Sequence, residues 1–593
     1  MPGFIQTIFG LLSYKPPLNE ERGFELLEGA SEGTDQANLP SSAYDGGADT
    51  TPVPSRKKKY SRVPLQVGDW NEKKKTEGDS QPTNSATISS ELAVNLATIK
   101  QRFRIPRNQD IIIREFKIGR QLDAFMVYIE GMIDRQTLHL AILPQLMAKD
   151  CLDDLQDEPV IDYLNNNILT VFKLENMKSF ALISQQVLMG GSALFIEGCQ
   201  ECIVIDTRGF EKRNIEQPIS EIVVHGPQEA FTENMRTNLT MVRRIVRNEK
   251  LVTEMLPVGK TNNSQCAIMY IEGLANPKVI QEVKKRIKRI DTDLMLGDGM
   301  LEQFIEDNSF MLFPQVLSTE RPDRIASFIM EGQVIIIAEG TPYALVVPVT
   351  FFRLFHSSED TFVRWPAGTF LRIIRLIGLF CATLLPGIYV AVTLFHPEML
   401  PTELLSSIAK AKEIVPFPTV LEVLMMEFAF ELIREAGTRV PSVIGQTLGI
   451  VGALILGQAA VSAGLVSPVL VIVVSVTGLG NFAIPNYTLG LAIRIERFFF
   501  IIAAAALGFF GVSLVVILLA LMACSMKSFG VPYFSPLAPR TSINPDVILR
   551  YPIWTQKDRP DAHQTPNRKR QGNNVKVWMN EEDPAQKDKG DNT

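Results

Sequence analysis

The chain has 593 residues, a formal net charge of −6 and a sequence pI near 5.7, and 46% of it is apolar. That length exceeds one hydrophobic core and implies several domains, and the mild acidity argues against a general nucleic-acid binder. Charged residues crowd the first 360 positions and the last 60, while 370–525 is largely apolar. The pattern is that of a soluble part, a membrane part and a soluble tail.

Residues 1–89 open with an apolar run, MPGFIQTIFGLLSY, that lacks a basic n-region and a small-residue cleavage site, so a signal peptide is not expected. A short membrane-touching helix is one reading of it and a plain tail the other. The rest of this segment is rich in Gly, Ser, Pro, Asp and Lys, with RKKK at 56–59 and KKK at 73–75, and reads as a disordered tail. Those lysines suit anionic lipid headgroups, although charge runs are more often simply solvated.

Two stretches then read alike. Residues 126–148 and 268–290 each pattern as a strand, a turn at glycine and a helix, and Tyr-Ile-Glu-Gly recurs at 128–131 and 270–273. A second echo at the same shift of 142 residues sets FIEG at 195–198 against IAEG at 337–340, each inside an apparent hairpin. Two echoes at one offset predict two duplicated α/β subdomains, 90–230 and 231–365. The glycines of these Glu-Gly turns are expected to supply a positive φ rather than a ligand site.

No catalytic constellation stands out. G-x-S-x-G, Walker A and H-E-x-x-H motifs are absent, and the GDG at 297–299 does not open a phosphate loop after a strand. Cys199 and Cys202 form a lone C-x-x-C without a second pair, in a chain with six cysteines and five histidines, so turn residues are expected rather than a metal or redox site. A basic helix face (Lys284, Lys285, Lys288, Arg289) fits a solvated surface, or docking on membrane or a neighbouring subunit. No enzyme, cofactor or metal is expected.

A multi-pass α-helical membrane domain is predicted over 366–528, followed by a tail at 529–593. Runs at 370–395 and 498–524 are long enough to span a bilayer, and 442–465 and 468–485 are further candidates, the last broken by Asn481, Pro485 and Asn486. Gly445, Gly449, Ala453 and Gly457 recur every four residues, a smooth stripe for close helix packing. Basic residues at 350–375 and after 527 place both ends on the cytoplasmic side, which requires an even number of spans; four are favoured and five possible.

Between these runs, residues 417–441 carry Glu427, Glu431 and Glu435 at about 0°, 40° and 80° on a helix, with Arg434 at about −20°. Three carboxylates facing lipid at mid-depth cost roughly 7–10 kcal/mol. They therefore face water on a surface helix, line an aqueous path as cation-attracting rings, or pair with cations of their own chain.

Four segments carry a resemblance: EIVVHGPQEAFTENMRTNLTMVRRIVRN (221–248), FPQVLSTERPDRIASFIMEGQVIIIAEGTPYALVVPVTFF (313–352), PSVIGQTLGIVGALILGQAAVSAGLVSP (441–468) and the VTGLGNFAIPNYTLGLAIRIERF that follows. Over about 90–555 the chain resembles the A subunits of spore germinant receptors, the GerA family. It departs from the family pattern at His225, Gln228 and Ala230 and in INPDVILRYP. The length of the segment before residue 90 is closer to the nutrient receptors than to the stage V sporulation paralogue.

The resemblance implies a protein of the spore inner membrane that works with a transporter-like B subunit and a lipoprotein C subunit and responds to small nutrients. It also implies homo-oligomers that conduct monovalent cations, with Glu427, Glu431, Glu435 and Arg434 as candidate pore-lining residues. A non-conducting scaffold or sensor is the competing class. A substrate transporter predicts related broken helices in two membrane halves, and the sequence offers no such duplication.

Overall fold

The computed structural model describes residues 87–572, except 154, 156–157, 170–172, 210–216, 440–454 and 541–545. Thr87 bridges Ser179 and Ile88 is buried, so the first soluble unit includes residues before 90.

The first unit contains α1 (Leu92–Arg102), β1 (Ile111–Ile118), β2 (Leu122–Ile129), β3 (Leu174–Met177), α2 (Phe180–Leu188), β4 (Ser192–Ile196) and β5 (Cys202–Ile205). Its sheet order is β1-β2-β4-β5-β3. The second unit repeats the plan with α3 (Met235–Ile245), β6 (Leu251–Val258), β7 (Ser264–Ile271), α4 (Pro277–Lys288), α5 (Asp298–Ile305), β8 (Leu317–Thr319), α6 (Pro322–Met330), β9 (Val334–Ala338) and β10 (Ala344–Val347). Here the order is β6-β7-β9-β10-β8.

Residue pairings repeat as well as order. Ala124↔Ile196 and Phe125↔Phe195 in β2–β4 recur 142 positions later as Cys266↔Ala338 and Ala267↔Ile337 in β7–β9. Every pair in both sheets is antiparallel. The duplicated α/β subdomains are thus built on antiparallel sheets, and the Glu-Gly turns close β4–β5 and β9–β10 as the expected hairpins.

Each sheet is covered by apolar side chains on both faces. Ile118, Met126, Leu138, Leu146 and Leu194 fill one side of the first sheet, and Phe103, Phe125, Val127, Phe180 and Phe195 fill the other. Phe125 and Phe195 stack at 4.7 Å between centroids. At Gly273 and Gly340 φ is +80° and +89°, and an added Cβ would meet open space, so backbone conformation alone demands glycine there. Cys202 is buried within β5, where desolvation raises its thiol pKa well above the usual range, and Cys199 is half-buried at the hairpin turn.

The apolar part contains α7 (Trp365–Phe395), α8 (Thr402–Glu413), α9 (Thr419–Arg439), α10 (Pro468–Phe482) and α11 (Tyr487–Ser525). Among the described residues, α7 and α11 are the two helical stretches long and apolar enough to cross a membrane. Pro468–Phe482, the third candidate span, is a shorter apolar helix of 15 residues. The 442–465 candidate falls largely outside the described residues, as do Gly445, Gly449 and Ala453. Gly457 lies in the helix at 455–462, where an added Cβ would touch Val471 at 3.5 Å.

The span expected at 498–524 needs a correction, because α11 is not one rod. A straight helix of that length would reach about 58 Å. Gly508 instead has φ +61° and ψ −139°, and an ideal Cβ on Gly511 would lie 2.1 Å from the Ala503 carbonyl oxygen. Residues eight apart meet only if the chain reverses, so 487–507 and 509–525 form a tight helical hairpin. Phe395 and His396, at the end of α7, close over the turn.

After α11 the chain returns to the second unit. Phe529 and Val531 are fully buried in its core, and the Tyr533 hydroxyl donates to the Pro314 carbonyl at 2.9 Å. Arg550 donates to the Thr361 and Val363 carbonyls, and Arg372 at the start of α7 pairs with Asp360 and Asp546. Both the entry to and the exit from the apolar helices are thus anchored on the same unit.

Candidate functional site

The carboxylate stripe of α9 lies against the first half of α11. Glu427 is fully buried and its Oε2 sits 2.8 Å from Arg497 Nη1. Glu431 bridges two arginines, with Oε1 3.0 Å from Arg497 Nη2 and Oε2 2.9 Å from Arg494 Nη1. Arg494 and Arg497 are three apart, so they share one helix face and meet carboxylates four apart on the facing helix.

The same helices and α10 also contribute an apolar cluster that includes Val423, Met426, Leu470, Val474, Phe500 and Ile501. Hydrogen bonding is incomplete. Glu427 oxygens and Arg497 Nε make no well-aligned hydrogen bond among the described residues, and neither does Oε1 of the buried Glu496.

The two ends of α9 mark its direction. At the first end Glu422 accepts from the Ser467 amide at 3.2 Å, and the Ser467 hydroxyl lies 3.4 Å from that of Tyr389, in the last third of α7. Towards the other end the Arg434 guanidinium stacks 5.0 Å from the Phe482 ring, and its Nη1 lies 2.6 Å from the Asn481 side-chain oxygen once that amide is turned to satisfy both groups. Glu435 pairs with Arg439, one turn on, and both are exposed. The four predicted residues therefore separate: Glu427 and Glu431 join the buried layer, Arg434 packs on α10, and Glu435 stays outside.

Arg494, Arg497 and Glu496 were not among the residues expected at this site. Their signal was present, since three charges within IRIERF interrupt an apolar run. Which carboxylates they would meet depends on helix packing, which periodicity does not encode.

A second polar cluster joins the two soluble units. Arg243 of α3, almost fully buried, donates from Nε and Nη2 to the two oxygens of Asp110 at 2.6 and 2.8 Å and from Nη2 to Asn108 at 2.9 Å. Thr253 completes it, donating its hydroxyl to Asp110 and its amide to Asn108. The Glu-Gly turns flank this seam in matching roles: Glu130 pairs with Arg236 of the second unit, and Glu272 with Arg104 and Arg107 of the first.

Elsewhere, Lys284 on the basic face of α4 pairs with Glu254 at 2.6 Å. Among the described residues no group of three His, Cys, Asp or Glu is placed to hold a metal ion.

Comparison with known proteins places this architecture. The family described as Bacillus/Clostridium GerA spore germination protein matches residues 97–562. Spore germination protein KA of Bacillus subtilis (strain 168) is 41% identical over 82% of this chain and 89% of its own length. An uncharacterized membrane protein of the same organism, YfkQ, is 39% identical over 77% of this chain and 89% of its own. The crystal structure of the N-terminal domain of the A subunit of the Bacillus megaterium spore germinant receptor GerK3 covers 45% of this chain and 98% of that one, at 33% identity and a TM-score of 0.37. With the family matched across both soluble units and the apolar helices, the chain belongs to the GerA family of spore germination proteins.

Proposed function

We propose that this chain is the A subunit of a spore germinant receptor that assembles with copies of itself into a cation-conducting channel, beside transporter-like and lipoprotein partner subunits. Small nutrients bound by the complex shift it from a closed to an open arrangement, which requires only that they bind the open state more tightly. The observation that carries this reading is the layer of Glu427, Glu431, Arg494 and Arg497 within otherwise apolar helices. Ionisable groups at such positions are expensive and mark ion or proton pathways by default.

In the closed arrangement Arg494 and Arg497 neutralise Glu427 and Glu431. Sliding or rotating α9 against α11 exchanges those partners and frees carboxylates to attract cations. The conducting path lies between copies, so the charge layer of each chain contributes one segment of a ring.

The crossings follow from helix direction. Starting from the soluble units, α7 leads away, α9 returns, and α10, capped by Ser467 beside Tyr389 of α7, also returns. The two arms of α11 go out and come back. This arrangement suits soluble units and a tail on one side of the spore inner membrane, the cytoplasmic side on the charge pattern.

A non-conducting relay is a second reading, favoured by one observation: Glu427 and Glu431 both find their cations in their own chain. Cation flux from liposomes holding the purified chain, alone and with its partner subunits, separates the two. Channel function predicts flux whose cation preference falls in Glu427→Gln/Glu431→Gln while the variant stays folded. Flux indifferent to that substitution, or none with all partners present, returns the chain to a relay.

A further inference from the structure

Where α1 ends, an open cavity of about 780 Å³ lies at the seam between the two soluble units. Lys100, Gln101 and the run Arg104–Arg107 line it from the first unit, and Lys250, Glu272 and Gly273 from the second. Four cationic side chains thus face one carboxylate, a net lining charge of +3. Glu272 answers two of them, with Oε1 2.9 Å from Arg107 Nη1 and Oε2 on Arg104 Nε. Lys100 makes only a distant contact with Glu115 at 3.9 Å, and Lys250 Nζ has no carboxylate partner among the described residues.

Arg104, with φ +61°, is the left-handed residue that ends α1: its amide meets the Gln101 carbonyl at 3.4 Å and the Ile105 amide meets the Lys100 carbonyl at 3.0 Å. That geometry leads into the Arg104–Arg107 turn, whose two guanidinium groups converge on one point. Two arginines forked on a carboxylate are an anion-recognition arrangement, with the protein's own Glu272 in the anion's place.

We propose that this cavity binds a small polyanion, a molecule carrying at least two negative groups such as a phosphorylated metabolite or a polycarboxylate. One anionic group takes Arg104 and Arg107, displacing or sharing with Glu272, and the other lies between Lys100 and Lys250. Because the cations come from both units, the bound molecule cross-links them across the seam and biases their relative arrangement. The proposal is independent of whether the apolar helices conduct ions.

The test is isothermal titration of the full chain in detergent with pyrophosphate and, separately, citrate, at ionic strength matched with sodium chloride. Saturable 1:1 binding is expected, weakened at least tenfold in Arg107→Gln/Lys250→Gln. Arg107 is half-exposed, so that variant is expected to keep the unliganded melting temperature. Glu272→Gln, which releases both arginines, is expected to tighten binding severalfold, and Lys117→Gln, a cation elsewhere on the first unit, to leave it unchanged. Tighter pyrophosphate binding assigns a phosphate ligand and tighter citrate binding a polycarboxylate; either upholds the site. No saturable heat with either probe overturns it, as do an equal loss in Lys117→Gln and weaker binding in Glu272→Gln.

Discussion

Two buried arginine–carboxylate contacts hold different regions of this molecule, and they are built differently. At the seam between the soluble units, Asp110 receives two nitrogens of Arg243 and the Thr253 hydroxyl, and Asn108 and Thr253 knit the surroundings together. Only Nη1 of Arg243 lacks a partner among the described residues. Between α9 and α11, Glu427 has a close arginine but no aligned hydrogen bond, and Arg497 divides itself between two carboxylates. A fully bonded buried pair has one good arrangement, whereas an under-bonded one has neighbours of similar energy. The seam network is accordingly suited to fixing geometry, and the helix layer to changing it.

The largest expected effect follows from the seam. Asp110→Ala leaves Arg243 buried without its carboxylate, which costs about 3–5 kcal/mol. Chemical denaturation of the full chain in detergent should register that loss as an earlier unfolding step of the soluble units. A loss under about 1 kcal/mol would mean that water reaches Arg243, and the contrast between the regions would collapse.

Next is Gly508. Alanine there is forced into a left-handed conformation, at about 1–2 kcal/mol, with its Cβ 3.0 Å from the Phe395 ring. We expect a lower melting temperature and an α11 hairpin that opens, read as a longer distance between spin labels placed near residues 489 and 524. An unchanged distance would remove the hairpin as the determinant of the helix layer. Glu427→Gln should be milder, since Glu431 still pairs with Arg497; its cost in melting temperature should fall below that of Asp110→Asn. The reverse order would make the helix layer the rigid region.

How much of this was legible in the sequence depends on what each feature rests on. The duplication could be read because strand register is fixed by side-chain alternation, and the same 142-residue shift that relates YIEG to YIEG relates the ladder pairs. The carboxylate stripe was visible too, since helical periodicity is local. Its partners were not: Arg494 and Arg497 lie more than sixty residues further along, and only helix packing brings them to Glu427 and Glu431. The reversal at Gly508 was hidden because ALGFFG reads as uninterrupted apolar helix, and a single left-handed glycine leaves no periodic signal. Glu130 and Glu272 were set aside with their turn glycines, although the glutamate side chains carry the contacts across the seam.

The smallest effect concerns pH and sharpens the view that the soluble units are the rigid part. Glu302 lies on α5, and Glu306, one turn on, is the residue that caps its end. Burial raises the Glu302 pKa to about 8, reinforced by the charges of Glu306 and Asp298; burial likewise raises that of Glu306 to about 7. Arg286, the nearby cation, is already engaged by Glu282 and Asp307. An acid whose folded pKa lies above its ordinary value of 4.5 keeps its proton longer when folded than when unfolded. Its contribution is therefore fully present below about 4.5 and is lost as pH rises towards 8. Glu302→Gln holds the neutral form at every pH. Relative to the parent, the variant should gain little at pH 5 and a few degrees of melting temperature at pH 8.5, where about 1 kcal/mol corresponds to roughly 2–4 °C in a domain of this size. Parallel melting curves across that range would mean that the α5 carboxyls are solvated, and that the second unit breathes more than its packing implies.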